Sequence, residues 1–314
     1  MARHAPHPSQ PRLICVGYGN MARALLAGII ESKLFDKYEI CIAGRDLHKA
    51  QNLCDDLART KSTDDSHTAP TDTPSTDKSP TNDNPPSTPA DDNPTRPRLK
   101  ALCIDSHTPL NIQDCEVLLC VKPHALRAFS YVGEAHIAYS VLAGVRIETI
   151  AQVLNARSFA RIMPNVGALY GKSASCVYVH STRSSRTDTE SAVRRLVESF
   201  GNCVMVDSES LIDASIATSG SAPAFLAVVA QSLIDSGIYH GLSYAQSRDL
   251  VAQTFSGFAA LLEHKSPDEI KIAITSPAGT TARGLAVLEK NGVRGAFIEA
   301  GIESIKRAKE LGGS

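Results

Sequence analysis

A short apolar run followed at once by two closely spaced glycines constrains this chain more than any other feature. Leu13–Val16 is continuously apolar, as a strand buried on both faces would be, and it leads into Gly17-Tyr18-Gly19-Asn20-Met21-Ala22. This G-x-G-x-x-A spacing is a form of the dinucleotide-binding pattern. Gly17 permits the tight turn, Gly19 lets the backbone approach a pyrophosphate, and Ala22 allows the following helix to pack closely on the strand. We therefore predict a nucleotide at the start of this helix.

The residues after the second apolar run, Ile40–Ala43, bear on the choice between NAD and NADP. NAD-binding domains usually place an acid about 20 residues after the glycines, where it binds the ribose hydroxyls. Here the run is followed by Gly44 and Arg45, and the Arg45 guanidinium suits a 2′-phosphate. Asp46 is open to two roles, as a cap of the next helix or as a ribose ligand. We predict NADPH as the cofactor, with NADH as the alternative.

Apolar runs and helical patterns alternate through the first two thirds of the chain. The runs at Val117–Val121, Tyr139–Leu142 and Phe159–Met163 predict strands, and Arg146–Ala156 has a helical pattern. Such alternation predicts a parallel sheet with helices on both faces. The last third shows helical patterns alone, rich in Ala and Gly, which predict helices at Ala224–Ser236, Ala245–Glu263, Pro267–Ile274, Thr281–Glu289 and Gly295–Leu311.

These patterns divide the chain into two predicted domains. Residues 11–207 form an α/β Rossmann-type domain, and residues 208–314 form an all-α domain whose apolar helices indicate a subunit interface. Residues 60–98 are almost wholly Thr, Asp, Ser, Pro and Asn, with no Leu, Ile, Val or aromatic residue until Leu99. A segment of this composition cannot bury enough apolar surface to offset its ordering entropy, so we predict a disordered insertion within the first domain.

Composition excludes several classes of partner. The net charge of -1 provides no field that attracts nucleic acid or an anionic membrane. The first twelve residues lack the apolar core of a secretory signal, and no apolar run approaches the roughly 20 residues of a membrane span. The eight cysteines have no ligand-type spacing, so we predict no metal site and interpret Cys15, Cys41, Cys103 and Cys120 as small buried residues. We expect a cytoplasmic protein.

Several segments resemble those of pyrroline-5-carboxylate reductases, both in their residues and in their order along the chain. Besides the glycine segment, Val121-Lys122-Pro123, Ala143-Gly144-Val145 and Met163-Pro164-Asn165 occur in the order typical of that family. The stronger likeness is in the last third, where residues 218–225 resemble the family's Gly-Ser-Gly-Pro-Ala-Tyr segment. Ser276-Pro277-Ala278-Gly279-Thr280-Thr281 is similar to its Ser-Pro-Gly-Gly-Thr-Thr signature. The resemblance covers nearly the whole chain apart from the N-terminal tail and the insertion.

The resemblance implies an activity and an assembly. Family members reduce 1-pyrroline-5-carboxylate, a small cyclic imine, to L-proline with a nicotinamide cofactor in the last step of proline biosynthesis. Their helical domain interlocks with its twin in a homodimer, and the dimers often assemble further into rings. It also implies cofactor contacts at the positions that match the family's motifs, namely Tyr18, Asn20, Met21, Val121, Lys122, Pro123, Ala143, Asn165 and Glu209.

The segment from Ser276 to Thr281 also has a physical logic of its own. Pro277 ends one helix, and the backbone N–H groups of Gly279, Thr280 and Thr281 would begin the next, which is an arrangement suited to a carboxylate. The resemblance implies that Ser276, Gly279, Thr280 and Thr281 bind the substrate. The Thr281 hydroxyl would hydrogen-bond the ring nitrogen, as the catalytic residue. Without the resemblance, an ordinary Ser/Thr helix cap explains the same residues.

Some positions depart from the family pattern and keep three functions open. Ala278 and Ala222 stand where the family usually has glycine, and His107 falls near a usual asparagine. An Ala278 methyl group would restrict the loop's φ. The first function is reduction of pyrroline-5-carboxylate. The second is reduction of another imine or small acid, and the third is a nucleotide-binding regulator without activity.

Overall fold

The computed structural model describes residues 10–59, 98–104, 108–181 and 185–312. The predicted insertion lies outside these residues except for Arg98, which begins a strand rather than ending a loop. His107 lies outside them as well.

The first two thirds of the described chain form an α/β domain around one large sheet. Its strands and two further short ones are β1 (Arg12–Val16), β2 (Glu39–Gly44), β3 (Arg98–Cys103), β4 (Leu110–Asn111), β5 (Glu116–Leu119), β6 (Tyr131–Val132), β7 (Glu134–Ser140), β8 (Asn155–Met163), β9 (Ser173–Ser181) and β10 (Gly201–Met205). The main sheet has the order β10-β9-β8-β7-β5-β1-β2-β3, and β4 pairs with β6 apart from it. The helices between the strands are α1 (Asn20–Glu31), α2 (Leu47–Arg59), α3 (Ile147–Ala151) and α4 (Arg186–Glu198).

The strand order reverses direction beside β1. From β1 the chain builds outward through β2 and β3 on one side, and then through β5, β7 and β8 on the other. These neighbouring strands pair in parallel, so their carboxyl ends lie at one edge of the sheet. In open sheets of this kind, ligands bind at the carboxyl edge where the order reverses. Gly17 directly follows β1 and therefore lies at this point.

The sheet departs from the predicted all-parallel arrangement at one pair, because β9 runs antiparallel to β8. The two strands are joined by a 3-10 helix of only five residues, Val166–Tyr170, which is too short for a parallel crossover. A second difference lies at Arg146–Ala156. Only Ile147–Ala151 is helical there, and β8 already begins at Asn155.

Apolar residues cover both faces of the sheet. One cluster centres on Leu13, Cys15 and Leu25 and includes the inner side of α1, α2 and α4, and the other centres on Ile14, Val16 and Val117. Cys15 and Cys41 are buried as predicted, whereas Cys103 is exposed near the end of the edge strand β3. An edge strand has one face covered less completely, so the apolar run around Cys103 does not ensure burial.

The last third is helical throughout its described residues. It comprises α5 (Ser210–Ser215), a π-helical segment (Ile216–Gly220), α6 (Ala222–Tyr239), α7 (Tyr244–Leu262), α8 (Pro267–Ile274), α9 (Thr280–Lys290) and α10 (Val293–Gly312). Most of the large apolar side chains exposed in the described structure belong to these helices. Val228 is 66% exposed, Ile272 77% and Tyr239 85%. A single chain therefore leaves this apolar surface uncovered.

One helical stretch of the last third combines unusual length with an apolar composition. Ser210–Tyr239, which runs through α5, the π-helical segment and α6, is long and apolar enough to cross a membrane by length and composition. Only 17% of its most apolar window is buried within one chain. An apolar helix that another subunit covers would meet the same criterion.

Candidate functional site

Gly17 makes the turn between β1 and α1 in a conformation open to few other residues. Its φ is 118°, and its N–H donates to the Ala43 carbonyl at 2.8 Å. A Cβ atom at this position would lie 2.7 Å from the Cys120 carbonyl oxygen. The turn therefore presses directly against the chain that leaves β5, at the point where the strand order reverses.

Gly19 lies at the N-terminus of α1, which no side chain caps. The first N–H groups of the helix, from Asn20 and Met21 onward, thus have no partner within the helix. Among the described residues, apart from the two chain neighbours of Gly19, no atom lies within 4 Å of the place where a Gly19 Cβ would be. Free N–H groups, the positive end of the helix dipole and open space together fit a pyrophosphate.

The two residues that follow β2 have separate surroundings. Asp46 caps α2, because its Oδ1 accepts the Lys49 N–H at 3.1 Å. That backbone hydrogen bond is the main reason that the pKa of Asp46 lies below its usual value. Arg45 is exposed, and no side-chain ion pair holds it within the described chain. Of the two roles open to Asp46, the structure thus favours the helix cap. The exposed Arg45 side chain, at the end of β2, is available to bind a ligand. Tyr18 packs its ring against Gly44 beside it.

A cleft of about 630 Å³ opens between the carboxyl edge of the sheet and the helical domain. Met21 and Ala143, both predicted at the cofactor, lie in its wall. The other lining residues belong to the ends of β7 and β8, to the π-helical segment and its neighbour, and to α10: Val141, Met163, Pro164, Ile216, Gly220, Ser221, Glu303, Ser304, Arg307, Ala308 and Leu311. The α10 residues were not among the predicted site residues, because the charged and polar side chains of Glu303, Ser304 and Arg307 are typical of a solvated helix face.

Three further predicted residues lie after β5. Val121 is half-buried and Lys122 is exposed, and Pro123 begins the 3-10 helix Pro123–Ala128. These residues do not line the cleft, but they follow the strand whose end Gly17 contacts. Their position is compatible with the predicted contact to the cofactor near the strand reversal.

The predicted Asn165 and Glu209 are both engaged in contacts between the two domains. Asn165 accepts the Gly167 N–H through Oδ1 at 2.9 Å and donates through Nδ2 to the Ser219 carbonyl at 3.3 Å. Glu209 Oε1 accepts the N–H of Ile147 at 2.7 Å. Both side chains thus position parts of the cleft, whatever they contribute to a cofactor directly.

The segment from Ser276 to Thr281 joins α8 to α9. Gly279 is the residue before α9, and no side chain caps this helix, so the ordinary Ser/Thr cap that the sequence allowed is not formed. By contrast, Ser243 and Ser266 form complete capping boxes at α7 and α8. The first N–H groups of α9, from Thr280 onward, therefore have no partner within the helix, as a site for an anion requires. The Gly279 N–H, which was predicted as a further donor, instead donates to the Ser276 carbonyl at 3.1 Å.

Ala278 adopts a left-handed backbone conformation, with φ of 56°. Glycine, which the family usually has at this position, adopts this conformation without strain, whereas the backbone of Ala278 is strained. A left-handed conformation costs an L-residue about 1–2 kcal/mol.

We expect Ala278→Gly to stabilise the protein. Removing the strain should outweigh the added freedom of the unfolded chain and raise the free energy of unfolding by about 0.5–1 kcal/mol. Ala286→Gly, at an exposed position inside α9, should instead lower it by about 1 kcal/mol. Urea denaturation at one protein concentration measures both variants. Equal losses in the two variants would contradict strain at Ala278.

The two halves of the predicted site do not meet within one chain. Met21 and Ala143 line the cleft, but none of the residues from Ser276 to Thr281 does so. The loop instead lies between α8 and α9, which pack against α7 and α10 respectively. A substrate held by this loop would therefore not reach the cleft of the same chain as it stands.

Models of known protein families match the chain in two separate segments. A family model described as pyrroline-5-carboxylate reductase dimerisation matches residues 209–311, and one described as NADP oxidoreductase, coenzyme F420-dependent, matches residues 12–73. Among solved structures, the fold is similar to 1-pyrroline-5-carboxylate reductase from Streptococcus pyogenes, with a TM-score of 0.70 and 23% identity over 95% of this chain and 98% of that one. The Plasmodium falciparum pyrroline carboxylate reductase with NADP bound gives a TM-score of 0.65 and 21% identity over 96% and 99%.

The decisive likeness is in sequence. A pyrroline-5-carboxylate reductase from Helicobacter pylori is 35% identical to this chain over 294 residues, which are 94% of this chain and 97% of that enzyme. An alignment of this length spans most of both parts of the chain. The chain therefore belongs to the pyrroline-5-carboxylate reductase family.

Proposed function

We propose that this protein reduces 1-pyrroline-5-carboxylate to L-proline with NADPH, as an oxidoreductase acting on a carbon–nitrogen bond. The observation that carries the proposal is the pair of uncapped helix N-termini at Gly19 and Gly279. They occur at the two segments that resemble the family's cofactor and substrate motifs. Each offers unpaired N–H groups to an anion, which suits a pyrophosphate at α1 and a carboxylate at α9.

The residues at the carboxyl edge of the sheet fit a dinucleotide. Gly17, Tyr18, Gly19 and Asn20 would hold its pyrophosphate region, and Arg45 would bind the 2′-phosphate because Asp46 is already committed to α2. Val121, Lys122, Pro123 and Ala143 would line it toward the cleft, where Met21 lies. When bound there, the reduced nicotinamide supplies the hydride that the imine carbon accepts.

The chain's own task is to bind, orient and protonate the imine. The N–H groups of Thr280 and Thr281 would hold the carboxylate, with Ser276 and Gly279 beside them. The Thr281 hydroxyl would hydrogen-bond the ring nitrogen, with its oxygen accepting the N–H of the protonated imine. This contact favours the protonated form, which is the better hydride acceptor. No strong base is needed for this reaction, because the product forms by adding a hydride to carbon and a proton to nitrogen.

A second copy of the chain supplies the loop. The exposed apolar side chains of α6, α7 and α10 are the surface that a homodimer would cover, in the region that matches the dimerisation model. In such a dimer, the loop from Ser276 to Thr281 of one chain would close the cleft of the other, which explains why the two halves lie apart within a chain. We also propose the domain division at 207/208, further assembly of dimers into a ring, and a cytoplasmic location.

The experiment that tests the proposed function is oxidation of NADPH by the purified protein with 1-pyrroline-5-carboxylate, followed by absorbance. We expect turnover by the wild type, and a loss of roughly 100-fold in kcat for Thr281→Ala, because a hydrogen bond to the reacting nitrogen is removed. Thr281→Ser keeps the hydroxyl and should retain most activity. A wild-type protein that binds NADPH but oxidises it with neither this nor another cyclic imine would overturn the proposal in favour of a regulator.

A further inference from the structure

Glu209 belongs to a buried ionic cluster whose other members take no part in the cofactor and substrate assignments. Its centre is Arg161 in β8, whose side chain is 1% exposed. Arg161 NH1 lies 3.2 Å from Glu209 Oε1, and NH2 lies 2.8 Å from Asp213 Oδ1. Glu209 immediately precedes α5 and Asp213 is one helical turn further on, so a single guanidinium holds α5 against the sheet at two points.

Such a cluster is costly to bury. Taking a guanidinium and its carboxylate partners out of water carries a desolvation penalty that their attraction does not always offset, and apolar residues of similar volume often stabilise a protein at least as well. Packing alone therefore does not explain an arginine at the centre of the apolar run Phe159–Met163. We therefore explain the presence of Arg161 by the geometry that the cluster imposes on the segments around it.

The cluster connects three walls of the cleft. Glu209 Oε1 also accepts the Ile147 N–H. This hydrogen bond links Glu209 to the end of the loop that contains Ala143. From Arg161, β8 continues to Met163 and Pro164. On the other side, α5 continues into the π-helical segment. All three parts contribute lining residues to the cleft. The guanidinium and its carboxylates thus join the three parts of the chain that form these walls, although they line a separate cavity beside Arg146 rather than the cleft itself.

The π-helical segment is held at both ends. Arg161 fixes α5 before it, and Asn165 Nδ2 donates to the Ser219 carbonyl near its end. Segments of π-helix are rare and occur frequently at functional sites. Ile216 and Gly220 at its two ends both line the cleft. Its position relative to β8 is therefore set by these two polar contacts in addition to apolar packing.

We propose that Arg161 is a positioning residue for hydride transfer, which holds three walls of the cleft at the spacing that cofactor and imine require through Glu209 and Asp213. The inference rests on the proposed function. Reacting atoms must approach to about 3–3.5 Å, and a displacement of about 1 Å can cost roughly 100-fold in rate. A lysine ammonium cannot replace the planar fork that holds both carboxylates at once.

The test compares Arg161→Lys with Arg157→Lys in the full-length protein. Arg157 lies on the same strand and also pairs with two carboxylates, those of Asp114 and Glu134, but near the end of β8 away from the cleft. For Arg161→Lys we expect kcat per cofactor-binding site to fall by roughly 10–100-fold, with the KM for the imine and the Kd for NADPH within about threefold of wild type. The deuterium isotope effect on kcat, with NADPH labelled at the transferred position, should rise. Arg157→Lys should change none of these values.

The outcomes separate this inference from the proposed function. Absence of turnover in the wild type would overturn both. Turnover in the wild type together with an unchanged kcat and isotope effect in Arg161→Lys would overturn the positioning role alone. So would a loss of activity that only follows a loss of cofactor-binding sites, because that result means a purely structural role. If Arg161→Lys does not fold, Asp213→Asn, which keeps the side-chain volume, carries the same test with the same readings.

Discussion

Gly17→Ala should destabilise the folded protein strongly, whereas Gly19→Ala should leave its stability unchanged and weaken cofactor binding. At Gly17 the new Cβ would lie 2.7 Å from the Cys120 carbonyl oxygen, and φ of 118° is a conformation that alanine rarely adopts. Strain and the clash together should lower the free energy of unfolding by about 3 kcal/mol. At Gly19, φ is −79°, and no atom of the described residues beyond its chain neighbours lies within 4 Å of the new Cβ, so alanine fits the free protein.

The same methyl group at Gly19 would stand where the pyrophosphate has to approach the helix N-terminus. We expect the Kd for NADPH to rise by roughly 10–100-fold in Gly19→Ala, because glycine at this position lets the backbone come into contact with the pyrophosphate. Urea denaturation without cofactor and a fluorescence titration with NADPH measure the two effects separately. Unchanged NADPH affinity in Gly19→Ala would place the pyrophosphate elsewhere, and a stable Gly17→Ala would contradict the described turn.

Local features of the chain predicted most of the fold. Continuous apolar runs such as Leu13–Val16 mark buried parallel strands because both faces of such strands are covered. The helical pattern likewise predicted Pro267–Ile274, with the bounds that α8 has. The strand β9 was missed because Ser173–Ser181 mixes polar and apolar residues beyond a five-residue 3-10 helix. Its antiparallel course depends on the length of that connection rather than on any property of the strand itself.

The candidate site was only partly predictable, for a physical reason. The glycine turn and the loop before α9 are continuous in sequence, so their patterns can be read directly. The cluster around Arg161 joins residues 48 and 52 positions apart, and this pairing exists only in the folded chain. One signal was nevertheless available: a buried charge needs a partner, so an arginine inside the apolar run Phe159–Met163 implies a carboxylate nearby.

The separation between the loop from Ser276 to Thr281 and the cleft could not be predicted from sequence patterns within one chain, because it depends on where a second copy of the chain lies. Apolar helices such as α6 predict that a subunit covers them, but they do not state which cleft the partner's loop reaches. The alternative is a dimer in which each chain closes its own cleft after a rearrangement. Subunit mixing distinguishes the two arrangements, and the expected effect is large.

Two inactive variants should restore activity when they are expressed together. Gly19→Asp places a carboxylate at the N-terminus of α1, where it caps the helix and excludes the pyrophosphate, so the fold is kept while cofactor binding is lost. Thr281→Ala disables the substrate loop. In a mixed dimer with shared sites, the intact cleft of the Thr281→Ala chain meets the intact loop of the Gly19→Asp chain. Since half of the dimers are mixed and each has one working site, equal co-expression should give about a quarter of wild-type activity.

The matched control carries both changes in one chain, co-expressed with the wild type. If the sites are shared between chains, a mixed dimer of this kind has no working site, and only the wild-type dimers remain, which again gives about a quarter of full activity. If each chain instead closes its own cleft, the control should retain about half of the activity and the pair of single variants should show none. Specific activity measured at equal expression of both chains decides between the two arrangements. The second result would show that the loop from Ser276 to Thr281 reaches the cleft of its own chain by a movement of the helical domain.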